Sequence, residues 1–295
     1  MAPDISVVIP TRGRAAILRM CLERLARQTL APGRFEVLVM VDGPDAETER
    51  VAREAATRTP ADMRCEVLAK GGPAVTRNRS IDSARADLIH FINDDSLLGP
   101  ESLEIHLAYH ARRPGQAVRG NTAFDRAAGY SPFMAWLAVY WSNSYLIRDP
   151  GDIGYEHFHT MDISIHRRWF ENDRFSCGFP DAAFEDTELG YRLCQKGLNL
   201  AWAPEARCLH HHFYTPADFY ARARVNGASA VILAAKHPAL HHRVIGHFLA
   251  ESQARRRLRL GRLRLMNRAN EPAYWETKHH LVYAAAALQA LRRRR

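Results

Sequence analysis

The sequence lacks any segment long and apolar enough to cross a bilayer: the run Leu281–Leu288, like every other, falls far short of the about 20 residues a spanning helix needs. No basic leader precedes Ile5, where an apparent strand begins, so no secretory signal is expected and a reducing cytoplasm is the simplest home. Cysteine is scarce. Cys21, Cys65, Cys177, Cys194 and Cys208 are odd in number, scattered and without a CxxC pair, so neither a disulfide framework nor a zinc site is indicated. Internal repeats are absent, and low complexity is confined to arginine clusters. Most of the chain also lacks a charge bias. The formal net charge is +9, yet residues 251–295 alone hold eleven Arg and one Lys against three Glu, which leaves the rest balanced. The body is therefore not a basic nucleic-acid binder, whereas the tail can meet something anionic.

What is present is an alternation of apolar strands and helices, in a chain long enough for one large domain or a domain with an appendage. Ile5–Ile9 is β-rich and ends at Pro10-Thr11-Arg12-Gly13, after which Ile17, Leu18, Cys21, Leu22 and Leu25 recur at helical spacing. Phe35–Val41 reads as a second strand, closed by Asp42-Gly43-Pro44, with a helix through Val51. Cys65–Leu68 is a short third strand, Ala74–Ala84 a helix and Leu88–Ile92 a fourth strand. Continuous apolar strands of this kind predict an α/β fold whose parallel sheet is covered on both faces. Ligands of such sheets bind outside the carboxyl ends of the strands, where this sequence carries Thr11, Asp42 and Asn93-Asp94-Asp95. Beyond residue 100 the regularity fades into an aromatic-rich stretch with Tyr130, Phe133, Trp136, Tyr140, Trp141, Tyr145 and Tyr155. From about Thr215 the chain reads as helical.

Three stretches could carry chemistry. On an extended chain Asp94 and Asp95 point to opposite faces, so one is expected to bind a hard divalent cation and the other to hold substrate or metal-bound water. Alone, the pair fits an acidic capping turn equally well. In AAFEDTELGYRLCQKGL (182–198), Leu189 and Leu193 share a helical face, Glu188 and Arg192 form an i,i+4 pair, Gly197 can end the helix, and Glu185 or Asp186 stands at its start. An aspartate there is ordinarily an N-cap; one that also faces the crevice can serve as a general base. His210, His211 and His212 alternate faces if extended, so at most one or two can share a ligand, and by themselves they read as a polar loop.

Taken in order, SVVIPTRGR (6–14), VLVMVDGPDAET (37–48), GGPAVTRNRSIDSARADLIHFINDD (71–95), MDISIHRRWF (161–170), GFPDAAFEDTELGYRL (178–193) and APEARCLHHH (203–212) make the chain resemble the family 2 glycosyltransferases over residues 5–212. The resemblance implies a GT-A fold: a Rossmann-like, mixed but mostly parallel sheet flanked by helices. It would occupy residues 1–214, with the nucleotide-sugar half at about 1–100 and the acceptor half after it, and residues 215–295 would form a helical, basic extension. The implied reaction is inverting transfer of a sugar from a nucleotide diphosphate to a hydroxyl of a glycan, lipid-linked or cell-envelope saccharide, with Mn2+ or Mg2+. By position, Thr11 and Asp42 match residues that meet base and ribose, and Arg77 matches a basic position on the donor side, with Arg14 a further candidate for binding the nucleotide sugar. Asn93-Asp94-Asp95 stands at the DxD motif, with Asp95 as metal ligand and Asp94 near ribose or donor sugar. Asp186 matches the base, Glu185 its neighbour, and His210 a histidine of the metal or diphosphate site. Asp162, Glu185, Trp136 and Trp141 are candidates for acceptor or donor-sugar contacts. The sequence departs from the family pattern at Val41, Asn93 and Asp162.

Asp42 can accept from the imide N–H of uracil, thymine or guanine but meets only an acceptor at cytosine N3, which favours UDP, dTDP or GDP donors. A sugar-nucleotide-forming nucleotidyltransferase would need a glycine-rich basic loop after the first strand, and Pro10–Arg14 is a poor version of one. A non-catalytic binding protein would have lost Asp95 or Asp186, and both are present. The tail segments 255–265 and 281–295 read as basic amphipathic helices, suited to an anionic inner membrane face, to a dimer contact or to plain solvent.

Overall fold

In the computed structural model, residues 2–59, 61–142, 147, 149–179 and 182–293 are described; Tyr145, Pro180, Asp181, Arg294 and Arg295 of the stretches above lie outside them. The elements follow the sequence pattern through residue 92: β1 Ile5–Thr11, α1 Ala15–Leu25, β2 Phe35–Asp42, α2 Ala46–Arg58, β3 Asp62–Leu68, α3 Pro73–Ser83 and β4 Leu88–Ile92. Then come β5 Ser96–Leu98, α4 Ser102–Arg112, β6 Ala117–Phe124, α5 Pro132–Ser142, β7 Asp162–His166, α6 Glu185–Gln195 and β8 Leu200–His210. The chain continues with α7 Pro216–Lys236, α8 His247–Ala250, α9 Gln253–Leu265 and α10 Pro272–Arg293.

The chain divides into two compact units. The first comprises Met1–Ala128, Ser142–Cys177 and Glu185–His212; the second comprises Gly129–Trp141, Gly178–Phe184 and Phe213–Arg295. The first is built on an eight-stranded sheet of order β3-β2-β1-β4-β7-β6-β8-β5. β1 to β4 are mutually parallel, β7 runs against β4 and β6, β6 and β8 are parallel, and β5 is antiparallel to β8, so six strands share one direction. Val7, Ile9, Val37, Val39 and Ile92 pack with Leu18, Leu22 and Leu25 of α1. Val8, Leu38, Ile89 and Phe91 pack with Ile81 of α3 and Leu189 and Leu193 of α6. Alternate side chains of the same strands thus enter the two layers, which is why these strands are apolar throughout.

Ser6 of β1, Glu36 of β2 and His90 of β4 are buried polar exceptions. Glu36 of β2 is buried, yet it accepts from Ser6 Oγ (2.5 Å), Arg85 N (2.6 Å), Arg85 Nε (2.8 Å) and Arg64 Nη2 (2.8 Å). Burial would raise its pKa; the Ser6, Arg85 and Arg64 contacts outweigh that and lower it. Because the folded value is the lower one, the stability it contributes is complete above the ordinary carboxylate range and is lost as the pH falls through the folded value. Glu36→Ala is expected to cost about 3 kcal/mol, read as a clear fall in Tm at pH 7 that shrinks toward pH 3. An unchanged Tm at pH 7 would contradict this role.

In the second unit α7 starts with a capping box between Thr215 and Asp218. Ala223, Ala230, Val231 and Ala234 of α7 pack with Tyr283 and Ala287 of α10, and Val282 and Leu291 lie against the same cluster. The apolar stripe of α10 is therefore internal. No helix among the described residues is long and apolar enough to cross a membrane.

Candidate active site

β1 and β4 deliver Thr11 and the Asn93–Asp95 turn to one end of the first unit's sheet. Asn93 N donates to Ser96 Oγ (3.3 Å), Ser96 N returns to Asn93 O (3.1 Å), and Ser96 Oγ donates to Met161 O (2.8 Å). This closed turn corrects the expectation that the two aspartates face opposite ways, which assumed an extended chain. Arg14 Nη1 meets Asp94 Oδ1 and Arg14 Nη2 meets Asp95 Oδ2, both at 2.7 Å. Thr11 Oγ1 also donates to Asp94 Oδ2 (2.8 Å).

β5 pairs with the end of β8 so that Ser96 stands opposite His210, and this register carries the histidines to Asp95. His210 Nε2 lies 3.3 Å and His212 Nδ1 3.4 Å from Asp95 Oδ2, while His211 turns to Asp125 Oδ2 at 2.7 Å. The alternation expected of an extended segment holds here. His210 is stacked on Phe124, ring centres 5.4 Å apart. Asp95 Oδ1 is buried and has no hydrogen-bond partner among the described residues. Asp95, His210 and His212 thus offer a carboxylate and two imidazoles to one point, a donor set that suits a divalent cation. The two carboxylates titrate apart. Burial, reinforced by Asp95, pushes Asp94 up to about 6 against the pull of Arg14. Burial opposes ionisation of Asp95 too, but His210, His212 and Arg14 hold it far below the usual carboxylate range.

α6 supplies the second carboxylate pair and ends at Gly197, whose φ of +92° suits a helix C-terminus. Glu185 is buried and ion-paired with Arg77 Nη1 at 2.9 Å. Arg77, itself buried on α3, reaches Asn93 Oδ1 with Nη2 at 3.5 Å, so one guanidinium links the start of α6 to the acidic turn. Asp186 keeps a side chain 20% exposed, with Oδ1 accepting from Thr187 N (2.7 Å) and Oδ2 3.9 Å from His159 Nδ1. Burial would raise its pKa; His159 and Arg77 outweigh that and bring it down to about 2. Burial and Asp186 raise that of Glu185. Asp42 Oδ1 accepts from Gly71 N (2.7 Å) and Gly72 N (3.2 Å), ordering the loop ahead of α3.

Asp162 is only 1% exposed, with its carboxylate against His90 and His106. Trp136 and Trp141 belong to the second unit, where Trp136 stacks on Tyr140 (4.9 Å) and abuts Phe219 and Trp275, and Trp141 meets Tyr214 edge-on (4.9 Å). His212, named in the sequence only as part of the histidine run, joins His210 through their i+2 relation; His159 escaped the sequence reading, and nothing local pointed to it.

An open sheet with six strands in one direction, its acidic turn at the end of β4 and a carboxylate pair heading α6, defines a GT-A glycosyltransferase fold. The fold is shared with a mannosyltransferase from Pyrobaculum calidifontis solved with GDP-Man and Mn2+ (17% identity, TM-score 0.67, all of this chain and 89% of that one). It is also shared with residues 1–349 of Staphylococcus aureus TarS solved with UDP (15%, TM-score 0.60, all of this chain and 92% of that one). The model of Glycosyl transferase family 2 matches residues 6–172, and the chain belongs to that family. It is 29% identical to a validoxylamine A glucosyltransferase of Streptomyces hygroscopicus subsp. limoneus, over 69% of this chain and 51% of that protein. It is 25% identical to an O-antigen chain rhamnosyltransferase of Salmonella typhimurium, over 74% and 69%. The chain spans about half the length of the validoxylamine A glucosyltransferases it matches.

Proposed function

We propose that this protein transfers a glycosyl group, with inversion, from a nucleoside diphosphate sugar to a saccharide or lipid-linked hydroxyl. The observation that carries this reading is the convergence of Thr11, Arg14, Asp94, Asp95, His210 and His212 on one end of the sheet, linked through Arg77 to the start of α6. Residues 1–214 would form the transferase domain, with the donor held by its first 100 or so residues. Thr11 and Asp42 would meet ribose and base, Asp42 favouring UDP, dTDP or GDP. Mn2+ or Mg2+ on Asp95, His210 and His212 would supply positive charge for the leaving diphosphate; the partnerless Asp95 oxygen supports that fit. Arg14 adds a fixed cation on the donor side.

Asp186 is the proposed base. Its partly exposed carboxylate would accept the proton of the acceptor hydroxyl as that oxygen attacks the anomeric carbon opposite the diphosphate. The bond from that carbon to the phosphate oxygen breaks, and the diphosphate leaves with the electron pair. Glu185, neutralised by Arg77, holds α6 in place rather than taking the proton. Incubation with UDP-, dTDP- and GDP-sugars and Mn2+ should release the nucleoside diphosphate, with a product inverted at the anomeric carbon. Pyrophosphate exchange with a nucleoside triphosphate would point instead to nucleotidyl transfer, and binding without turnover to a non-catalytic protein.

A lipid-linked acceptor is consistent with α9. Leu258, Leu265 and Met266 share one side and are 69%, 90% and 60% exposed, flanked by exposed Arg255, Arg257, Arg259, Arg262 and Arg264. Such a face suits an anionic lipid surface. The full chain should sediment with phosphatidylglycerol vesicles, and the double variant Leu258→Glu, Leu265→Glu should not; equal pelleting would exclude lipid docking through this face.

A further inference from the structure

Behind the acidic turn lies a second cluster with no part in the proposed transfer. His90 of β4, His106 of α4 and Asp162 of β7 are all buried, with His90 Nε2 at 2.8 Å and His106 Nε2 at 3.3 Å from Asp162 Oδ1. The two imidazoles are tilted by 37° with ring centres 4.2 Å apart, and one ligand atom from each of the three residues lies within 4.8 Å of the others. On its far side His106 Nδ1 meets Ser164 Oγ at 2.7 Å, and Ser164 Oγ also meets His110 Nε2 at 2.8 Å. Asp162 Oδ2 has no hydrogen-bond partner among the described residues, nor has His106 Nε2. The backbone makes room for that carboxylate oxygen, since a Cβ on Gly120 would run into it.

Hydrogen bonds alone satisfy this cluster poorly. If both imidazoles donate to Asp162 Oδ1, Ser164 must donate to His106 Nδ1 and accept from His110, and every ring is then neutral. One negative charge then remains in the core, offset only in part by the buried guanidinium of Arg119 and with one of its oxygens unsolvated, a costly arrangement. A cation placed among the three removes both defects. His106 can then donate Nδ1–H to Ser164, which is the outer hydrogen bond that commonly orients a metal-bound histidine. Two imidazole nitrogens and two carboxylate oxygens supply four donor atoms, the number a closed structural zinc site uses. Nitrogen-rich ligation favours zinc over magnesium or calcium, and full burial leaves no open position for catalysis.

We propose that His90, His106 and Asp162 bind a structural zinc ion that ties β4, β7 and α4 together behind the acidic turn. Ile92 pairs with Asp162 in register, so the ion braces the strand end from which Asn93–Asp95 project.

The test is the metal content of the untagged full chain after exhaustive dialysis against EDTA, with Asp95→Ala in parallel to empty the more exposed Asp95, His210 and His212 set. Both proteins should keep about one zinc per chain. His90→Leu, if its circular dichroism is unchanged, should keep none. Cobalt exchanged into the wild type should give the d–d absorption of a tetrahedral site without a thiolate charge-transfer band, so the proposal does not depend on a variant folding. No retained zinc in the wild type would overturn it, as would zinc lost in Asp95→Ala or a thiolate band in the cobalt form.

Discussion

Asp186→Asn is expected to lower kcat for glycosyl transfer by about 1,000-fold or more while leaving the Kd of the donor within about twofold. General-base catalysis commonly contributes 100- to 10,000-fold, and the substitution removes the proton acceptor without removing bulk. Asn can keep the hydrogen bond from Thr187 N (2.7 Å) through Oδ1, so the helix start should persist. The carboxyl, held down to about 2 with His159 and Arg77 prevailing over burial, is ionised at any working pH and should give no acid limb of its own between pH 5 and 8. His159→Ala withdraws part of that support. The carboxyl should then rise toward the ordinary value of about 4, and transfer should fall as the pH drops through it. Turnover within a few-fold of wild type in Asp186→Asn would remove this residue from the chemistry.

Asp95→Ala should abolish metal-dependent nucleotide binding, reducing the gain in affinity brought by Mn2+ from about 100-fold or more to none. Loss of a partner that merely orients a metal ligand already costs 10- to 100-fold, and Asp95 is the only carboxylate in its group with His210 and His212. The variant also removes the anion that Arg14 Nη2 and both histidines share. Metal-independent binding of the diphosphate should therefore survive or improve. Titration calorimetry with and without Mn2+ separates the two effects, and retained metal dependence would reject the assignment.

The sequence was informative where one physical rule acted alone. β1, β2 and β4 are buried on both faces, so their apolar runs mark them as strands and their carboxyl ends mark the site. α6 was legible from Leu189 and Leu193, its Glu188–Arg192 pair and Gly197. The rest was hidden by long-range contacts. β5 is three residues long, and β8 contains Pro204 and Glu205 beside a register shift opposite β6, so neither offers a clean alternation. Asp94 and Asp95 converge because of a turn closed by Ser96, which the rule for extended chains does not foresee. Glu36 reads as an anomaly until Ser6, Arg64 and Arg85, from three other segments, are found around it. His90, His106 and Asp162 belong to three elements and meet only in the folded chain. The apolar stripe of α10 was legible, but its partner, α7, was not.

The most direct test is thermal stability with UDP, dTDP, GDP and CMP, each with and without Mn2+. A ligand at about 100 times its Kd adds roughly 2.7 kcal/mol of stability, enough to move Tm measurably. The expected result is a shift that requires Mn2+ together with one of the first three nucleotides, and that disappears in Asp95→Ala. No shift with any pair, or the same shift without metal, would contradict a metal-assisted nucleotide-sugar site at Asp95.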